Sequence, residues 1–381
     1  MTELSQQTRV LVLRALDEPW PGIEHPAPHQ RYRSPRLSIE TRNLGSLSAL
    51  PNGFIRVQML YAGICGTDLH LIEADPVTGY VRTSAPASIP AKGRVIGHEG
   101  VGRVITAGVG VEHVKAGDIV AFASIIACLH CEPCRRGSFN QCLNSMLLGM
   151  QADGLFGTLV DVPASLAHEV TDLARNDDDL RALACLEPAG VAMLACENAG
   201  IRPGDSVAIF GAGPIGLYCA MICKRIMGAA KVVVIETVEG RRQLAEKWCD
   251  AAFEPERYLD QETDTVDVVI EASGQLANVT KVFSRIRPNG RVVLLGRSGH
   301  PLVLDRIDHM ITNAITVSGS RGHLGGSLAR VLALYRSGAL PLGAAVTEVL
   351  DSLDALLTVL GAPDTLVMNH CKVLARMVPD T

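Results

Sequence analysis

Aromatic side chains are scarce in this chain, 4% of 381 residues with two tryptophans, and the formal net charge is −5. So few rings leave little stacking surface for bases, and a negative balance supplies no basic field, so a nucleic-acid partner is excluded. Long apolar runs are missing as well: none approaches the roughly 18 residues that a membrane-spanning helix needs. Met1 to Arg9 is polar, and the apolar stretch Val10 to Leu13 after it is too short for the core of a secretory leader. The expectation is a cytoplasmic protein with no membrane partner.

Cysteine, by contrast, is plentiful, with eleven in the chain. Disulfides are rare in the cytosol, and four of these residues have metal-site spacing instead. Cys128, Cys131, Cys134 and Cys142 are separated by two, two and seven residues, which fits a closed tetrahedral thiolate site of the structural zinc type. Four thiolates around a divalent ion leave a charge that Arg135, Arg136 and backbone amides offset, and His130 reads as a spacer. Cys185, Cys196, Cys219, Cys223, Cys249 and Cys371 lie in apolar surroundings and read as core thiols.

The length exceeds the roughly 250 to 300 residues at which one core stops growing, so two domains are expected. Residues 10 to 170 are rich in glycine, proline and short β-branched runs such as Phe54 to Val57 and Asp118 to Phe122, the pattern of many short strands. From about 180 to 325, apolar runs at Val207 to Phe210, Lys231 to Ile235, Val266 to Ile270 and Arg291 to Leu295 alternate with helical periodicity, which predicts a doubly wound parallel sheet. Helices are expected at Leu328 to Tyr335 and Ser352 to Leu360, and a last strand at Lys372 to Met377, in a tail that rejoins the first domain. The expected division is therefore 1–190 with 326–381, and 191–325. Two segments are long for simple loops, Glu18 to Arg36 and Glu73 to Arg94, and the second separates two candidate metal ligands.

Gly211, Gly213 and Gly216, with Pro214 and Ile215 between them, follow an apolar strand and open a helix-like run from Leu217 to Ile226. In that context the glycines permit a tight turn and close approach of a pyrophosphate, which sits on the helix N-terminus. Glu236, twenty residues past Gly216, is placed to accept hydrogen bonds from the adenosine ribose hydroxyls and to repel a 2′-phosphate. NAD is favoured on that account. Arg241 and Arg242 lie near enough in sequence to keep NADP open.

A second metal-ligand set is scattered: Cys65 in Gly63-Ile64-Cys65-Gly66-Thr67-Asp68-Leu69-His70, His98 in Gly97-His98-Glu99-Gly100, and Glu187, which stands 24 residues before Gly211. A thiolate, an imidazole and a carboxylate hold zinc near zero net charge and leave one position open, the arrangement of a catalytic ion acting as a Lewis acid on an alcohol. Glu99 reads as a residue beside the ligands. Thr67 is placed to take the alcohol proton and His70 to pass it to solvent, while Asp68 fixes the turn or bonds a ligand. Hydride transfer to a nicotinamide ring explains the metal set and the nucleotide signature together.

On these motifs the chain resembles the zinc-containing medium-chain dehydrogenase/reductase family over nearly its whole length. Gly63 to His70 matches the family's first zinc-ligand motif, Gly97 to Gly102 its Gly-His-Glu motif, and Cys128 to Cys142 its structural-zinc lobe. The resemblance implies an α/β fold: a mostly β, GroES-like catalytic domain and a Rossmann nucleotide-binding domain. It also implies one catalytic and one structural zinc per chain and a homodimer or homotetramer. Glu187-Pro188 is similar to the Glu-Pro pair of the sorbitol-like polyol branch, which implies Cys65, His98, Glu187 and water around the catalytic ion. The 32 residues between Cys65 and His98 are long for the family, and Ser320-Arg321-Gly322-His323 stands where many members carry a tyrosine-rich or polar segment. The expected activity is hydride transfer between NAD and a secondary alcohol of a polyol, cyclitol or amino alcohol. A threonine-type or simple-alcohol dehydrogenase is the near alternative, and a non-catalytic nucleotide-binding protein the alternative from another class.

Overall fold

The computed structural model describes residues 6–260, 265–297, 299–363 and 369–378, so the first five residues of the polar N-terminus lie outside the described residues. The chain forms two compact units: Met1–Glu187 with Val346–Leu366 and Lys372–Thr381, and Pro188–Ala345 with Val367–Cys371. The tail returns to the first unit at Val346, not at the expected residue 326. The helix Gly325–Arg336 stays with the second unit because Leu328 and Val331 are fully buried and Arg330 pairs with Glu197 on the helix Leu186–Asn198.

In the first unit the central strand is Phe54–Gly63, whose branched Ile55 and Val57 suit a pleated, buried surface better than a helix. It pairs antiparallel with Glu99–Ala107, Leu159–Pro163 and Lys372–Arg376. A smaller sheet joins Tyr32–Asn43, Gln7–Asp17 and the short strand Arg94–Val95. The two long segments flagged in the sequence pack on one another. Trp20 meets Tyr80 edge-on at 5.6 Å, the Tyr80 hydroxyl donates to Glu18 O at 2.8 Å, and the Ser34 amide donates to Gly79 O at 2.8 Å.

The second unit is an all-parallel sheet in the order Ala251–Phe253, Lys231–Ile235, Ser206–Phe210, Val266–Glu271, Ile286–Leu294, Thr316–Gly319. Val207, Ala208, Ile209 and Phe210 are each fully buried, as a strand covered on both faces requires. Each large side chain of this core, Phe210 and Phe283 among them, stabilises the unit by about 1.5–3 kcal/mol through burial. The strand order reverses around Ser206–Phe210, which opens a crevice at the carboxyl ends of the strands. The helix that follows, Pro214–Met221, continues as a π turn over Ile222–Ile226, so the expected single helical run changes pitch at its end. Among the described residues no helix is long and apolar enough to cross a membrane.

Candidate metal centre and cofactor bed

Gly63 ends the central strand with Glu99 paired beside it on one neighbour and Leu374 on the other. That register brings two buried charges to one point: Lys372 Nζ donates to Glu99 Oε2 and, at 2.8 Å, to Ile64 O. A Cβ at position 63 would stand 2.7 Å from Glu99 Oε2 and 2.8 Å from Lys372 Cε, so the pair depends on glycine there. Nothing in the local sequence announces Lys372. Its only signal is a cation opening a strand whose next three residues, Val373 to Ala375, are apolar.

Cys65 is the N-cap of the short helix Gly66–Ile72, and Asp68 folds back on that turn. Asp68 Oδ2 accepts from the Cys65 amide at 3.0 Å, while Oδ1 accepts from the Gly97 amide at 3.3 Å and lies 3.5 Å from His98 Nδ1. One fully buried carboxylate thus ties the turn of Cys65 to the turn of His98. The donor atoms of Cys65, His98 and Glu99 lie within 4.8 Å of one another. Glu187 stands outside that set: it is buried in the first turn of its helix and accepts from Ser124 Oγ at 2.7 Å. Thr67 is half-buried and His70 is exposed on the same short helix.

The charges around this point oppose one another. Burial pushes the Cys65 thiol up, but the charge and hydrogen bond of His98 outweigh it and leave the thiol lowered. Burial likewise pushes His98 down, and Asp68 and Cys65 more than reverse it, leaving the imidazole raised well above its ordinary value. Desolvation brings the Lys372 ammonium down to about 8 against the pull of Cys65 and Asp68. The raised imidazole marks a point of concentrated negative charge, where a divalent cation would satisfy thiolate and carboxylate together. Sulfur, nitrogen and oxygen donors at these separations fit a tetrahedral zinc, whose bonds of about 2.0–2.3 Å put its ligands ~3.3–3.8 Å apart.

The four-cysteine loop leaves the two-stranded ribbon Ile125–Ile126 and Met146–Leu147 and carries the single turn Glu132–Arg135. All four sulfurs lie within 4.8 Å of one another, and Cys131 Sγ is 3.8 Å from Cys142 Sγ. A tetrahedron with bonds of about 2.3 Å has edges of ~3.8 Å. Backbone amides already point at the sulfurs, from Cys128 to Cys142 Sγ at 3.3 Å and from Cys131 to Cys128 Sγ at 3.4 Å. Amide hydrogen bonds, led by that of His130, lower Cys128 to about 6, whereas desolvation pushes Cys134 to about 12. A bound cation resolves that conflict by holding all four as thiolates. The His130 ring turns to Cys128 O at 2.7 Å, and Arg136 pairs with Glu132 at 2.6 Å. Elsewhere Cys185, Cys196, Cys219, Cys223 and Cys371 are buried and Cys249 is half-buried.

In the second unit the glycine-rich turn follows its strand and Gly213 caps the helix Pro214–Met221, with Pro214 in the first turn and Ile215 after it. Gly211 has φ +95°, and a Cβ on Gly216 would lie 1.9 Å from Gly211 O, so the turn closes only with glycines at both ends. Glu236 ends the next strand with its carboxylate fixed from both sides. Oε2 accepts from the Ala212 amide at 2.7 Å, and Oε1 accepts from the Val238 amide at 2.9 Å and the Thr237 hydroxyl at 3.1 Å. Arg241 is not a solvated side chain, since its Nε donates to His370 O at 2.8 Å. Arg242 is held by Glu254 and by the carbonyls of Glu236 and Thr237.

Two sequence families match this architecture. An alcohol dehydrogenase GroES-like domain matches residues 51–172, and a zinc-binding dehydrogenase domain matches residues 214–336. The chain is 31% identical over 314 residues to the protein named Probable D-xylulose reductase A of Arthroderma otae, covering 79% of this chain and 84% of that one. It is 29% identical to D-xylulose reductase A of Aspergillus oryzae, with the same shares covered. Among solved structures it is similar to an alcohol dehydrogenase from Thermus sp. ATN1, with a TM-score of 0.75, 26% identity, and 90% and 97% of the two chains covered. A chain from Thermotoga maritima superposes with a TM-score of 0.86 at 27% identity, over 97% of this chain and all of that one. The chain belongs to the zinc-binding alcohol dehydrogenase family. It is an oxidoreductase acting on CH–OH groups of small alcohols and the matching carbonyl compounds, with zinc and a nicotinamide dinucleotide as cofactors.

Proposed function

We propose that the protein oxidises a secondary alcohol of a polyol with NAD and reduces the matching ketone in the reverse direction. The observation that carries this reading is the convergence of half-buried Cys65 with buried His98 and Glu99, beside relatives named for a ketose reductase. Zinc bound there supplies Lewis-acid polarisation of the alcohol oxygen, and the dinucleotide takes the hydride. Cys65 and His98 hold the ion together with a carboxylate. The geometry favours Glu99 for that role and leaves Glu187, fixed by Ser124, as the alternative drawn from its Glu-Pro motif. Asp68 faces His98 Nδ1, which leaves Nε2 for the metal. Thr67 takes the alcohol proton, and the exposed His70 passes it to water. The protein works in the cytoplasm as a homo-oligomer.

The test is a screen of protein with quantified zinc against polyols, cyclitols, amino alcohols and simple alcohols, following nicotinamide absorbance with NAD and with NADP. Turnover confined to polyols and lost on chelation supports the reading. Turnover of simple alcohols alone, or none at all, sinks it.

NAD preference rests on Glu236. Its carboxylate is buried and oriented by three donors, while Arg241 and Arg242 are already engaged. Glu236→Ala is expected to raise the Kd for NADH roughly tenfold, the loss of about one charge-assisted hydrogen bond, and to narrow the NAD over NADP ratio. An unchanged ratio of kcat/KM for the two cofactors would remove Glu236 from cofactor selection.

A second zinc is proposed in the four-cysteine loop, for about two per chain. Cys134→Ser is expected to lower the zinc content by about one and to expose the segment from Cys128 to Cys142 to limited proteolysis. Retention of both metals by that variant, measured by atomic absorption, would remove Cys134 from the ligand set.

A further inference from the structure

Each of the two carboxylates in contention for the metal is held by a partner of its own. Glu99 Oε2 accepts from Lys372 Nζ, and Glu187 Oε1 accepts from Ser124 Oγ at 2.7 Å. Ser124 and Glu187 belong to the same unit as Cys65, His98 and Glu99. Their exposures are 0% and 6%, so neither can exchange its partner for bulk water. A serine in that position is unexpected from its neighbours: Ile119, Val120, Ala121, Phe122 and Ala123 before it are all buried and apolar. Burying a hydroxyl beside them is unfavourable unless it bonds, and a bond from a hydroxyl to a carboxylate is of the stronger, charge-assisted kind.

Backbone packing links this pair to the metal set. The Ser124 carbonyl accepts from the Leu148 amide at 3.0 Å. Gly149, the next residue, has φ +74° and lies against Gly97, so close that a Cβ on Gly149 would stand 2.7 Å from Gly97 N and 2.8 Å from Gly97 O. Gly97 precedes His98 and gives its amide to Asp68, the carboxylate that also holds the turn of Cys65. One short turn, Leu148 with Gly149, therefore joins Ser124 to the turn that presents His98. Charge then decides what the second carboxylate must not do. A divalent ion held by thiolate, imidazole and one carboxylate is near neutral, with one position left for an alcohol oxygen. A second carboxylate in that position excludes the alcohol and leaves the set negative, which weakens the ion as a Lewis acid.

We propose that Ser124 is a positioning residue: its hydroxyl keeps Glu187 off the catalytic ion, so that Glu99 serves as the carboxylate ligand and the remaining position stays open to the alcohol. The proposal rests on the dehydrogenase reading above and deepens its metal assignment.

Cobalt(II) is the probe, because its visible d–d bands report ligand number and geometry where zinc, with a filled d shell, is silent. Spectra are compared for the wild type, Ser124→Ala, Glu187→Gln and the double variant Ser124→Ala with Glu187→Gln. The spectrum of Cys65→Ala is subtracted from each to remove the four-cysteine loop. Ser124→Ala is expected to show the weaker bands of a site that has gained a donor, with kcat of the zinc-loaded protein lower by about 10- to 100-fold. Glu187→Gln is expected to keep the wild-type spectrum, and the double variant to regain it, because no second carboxylate remains to move. A general packing defect at Ser124 would not be repaired by a change at Glu187. Unaltered bands in Ser124→Ala overturn the proposal. So do altered bands in Glu187→Gln alone, which make Glu187 a ligand already, and altered bands that persist in the double variant. Each of these leaves the dehydrogenase reading intact. Cobalt bands that do not depend on Cys65 bring down the metal assignment beneath both.

Discussion

Replacing Cys65 with Ala is expected to lower kcat by about 10³-fold or more while the Kd for NADH changes by less than about twofold. The thiolate is the one soft ligand of its set, held lowered by His98 despite burial, and its loss leaves the imidazole and a carboxylate alone to retain the ion. Zinc content should fall by about one per chain, the four-cysteine loop keeping the other. Cofactor binding is spared because Gly211, Gly213, Gly216 and Glu236 all belong to the second unit and Cys65 to the first. Glu187→Ala is the companion variant. Unchanged turnover in both would sink the assignment of catalysis to this metal set. Loss in Cys65→Ala with unchanged zinc content would mean that the sulfur acts on chemistry and not on metal retention.

Much of this was legible because the signals are local. The strand Ser206–Phe210, the glycines after it and Glu236 lie within one βαβ stretch, where strand period, turn chemistry and a terminal carboxylate agree. The four cysteines are likewise read from spacing alone, since a short loop can bring them together without help from the rest of the fold. What was not legible depends on register between distant strands. Glu99 meets Lys372 across 273 residues because both strands flank Gly63, and no local pattern encodes that. The choice between Glu99 and Glu187 fails for a related reason. Sequence supplies both carboxylates, but the closeness of Glu99 to Cys65 and His98 and the hydrogen bond of Glu187 to Ser124 both come from long-range packing that no local pattern encodes. The packing of Trp20 on Tyr80, which makes one body of two apparent loops, is long-range in the same sense.

The Glu99–Lys372 pair supplies the other large effect and also separates the two carboxylates. In zinc-free protein, Lys372→Met is expected to cost about 3–5 kcal/mol of unfolding free energy, because it leaves a carboxylate buried without its cation and Ile64 O without a donor. The double variant Glu99→Gln with Lys372→Met should cost less than Lys372→Met alone, since no bare charge remains. Denaturant midpoints that add across the two single variants would show the pair to be uncoupled. Zinc then turns the same variants into a test of ligand identity. If Glu99 reaches the ion, the metal replaces the missing ammonium as its counter-charge, and saturating zinc restores most of the stability that Lys372→Met loses. If Glu187 is the ligand, zinc stabilises the wild type and Lys372→Met equally and the deficit persists. A buried cation that neutralises a potential ligand thus competes with the metal for it, and the size of the zinc-dependent recovery measures that competition directly.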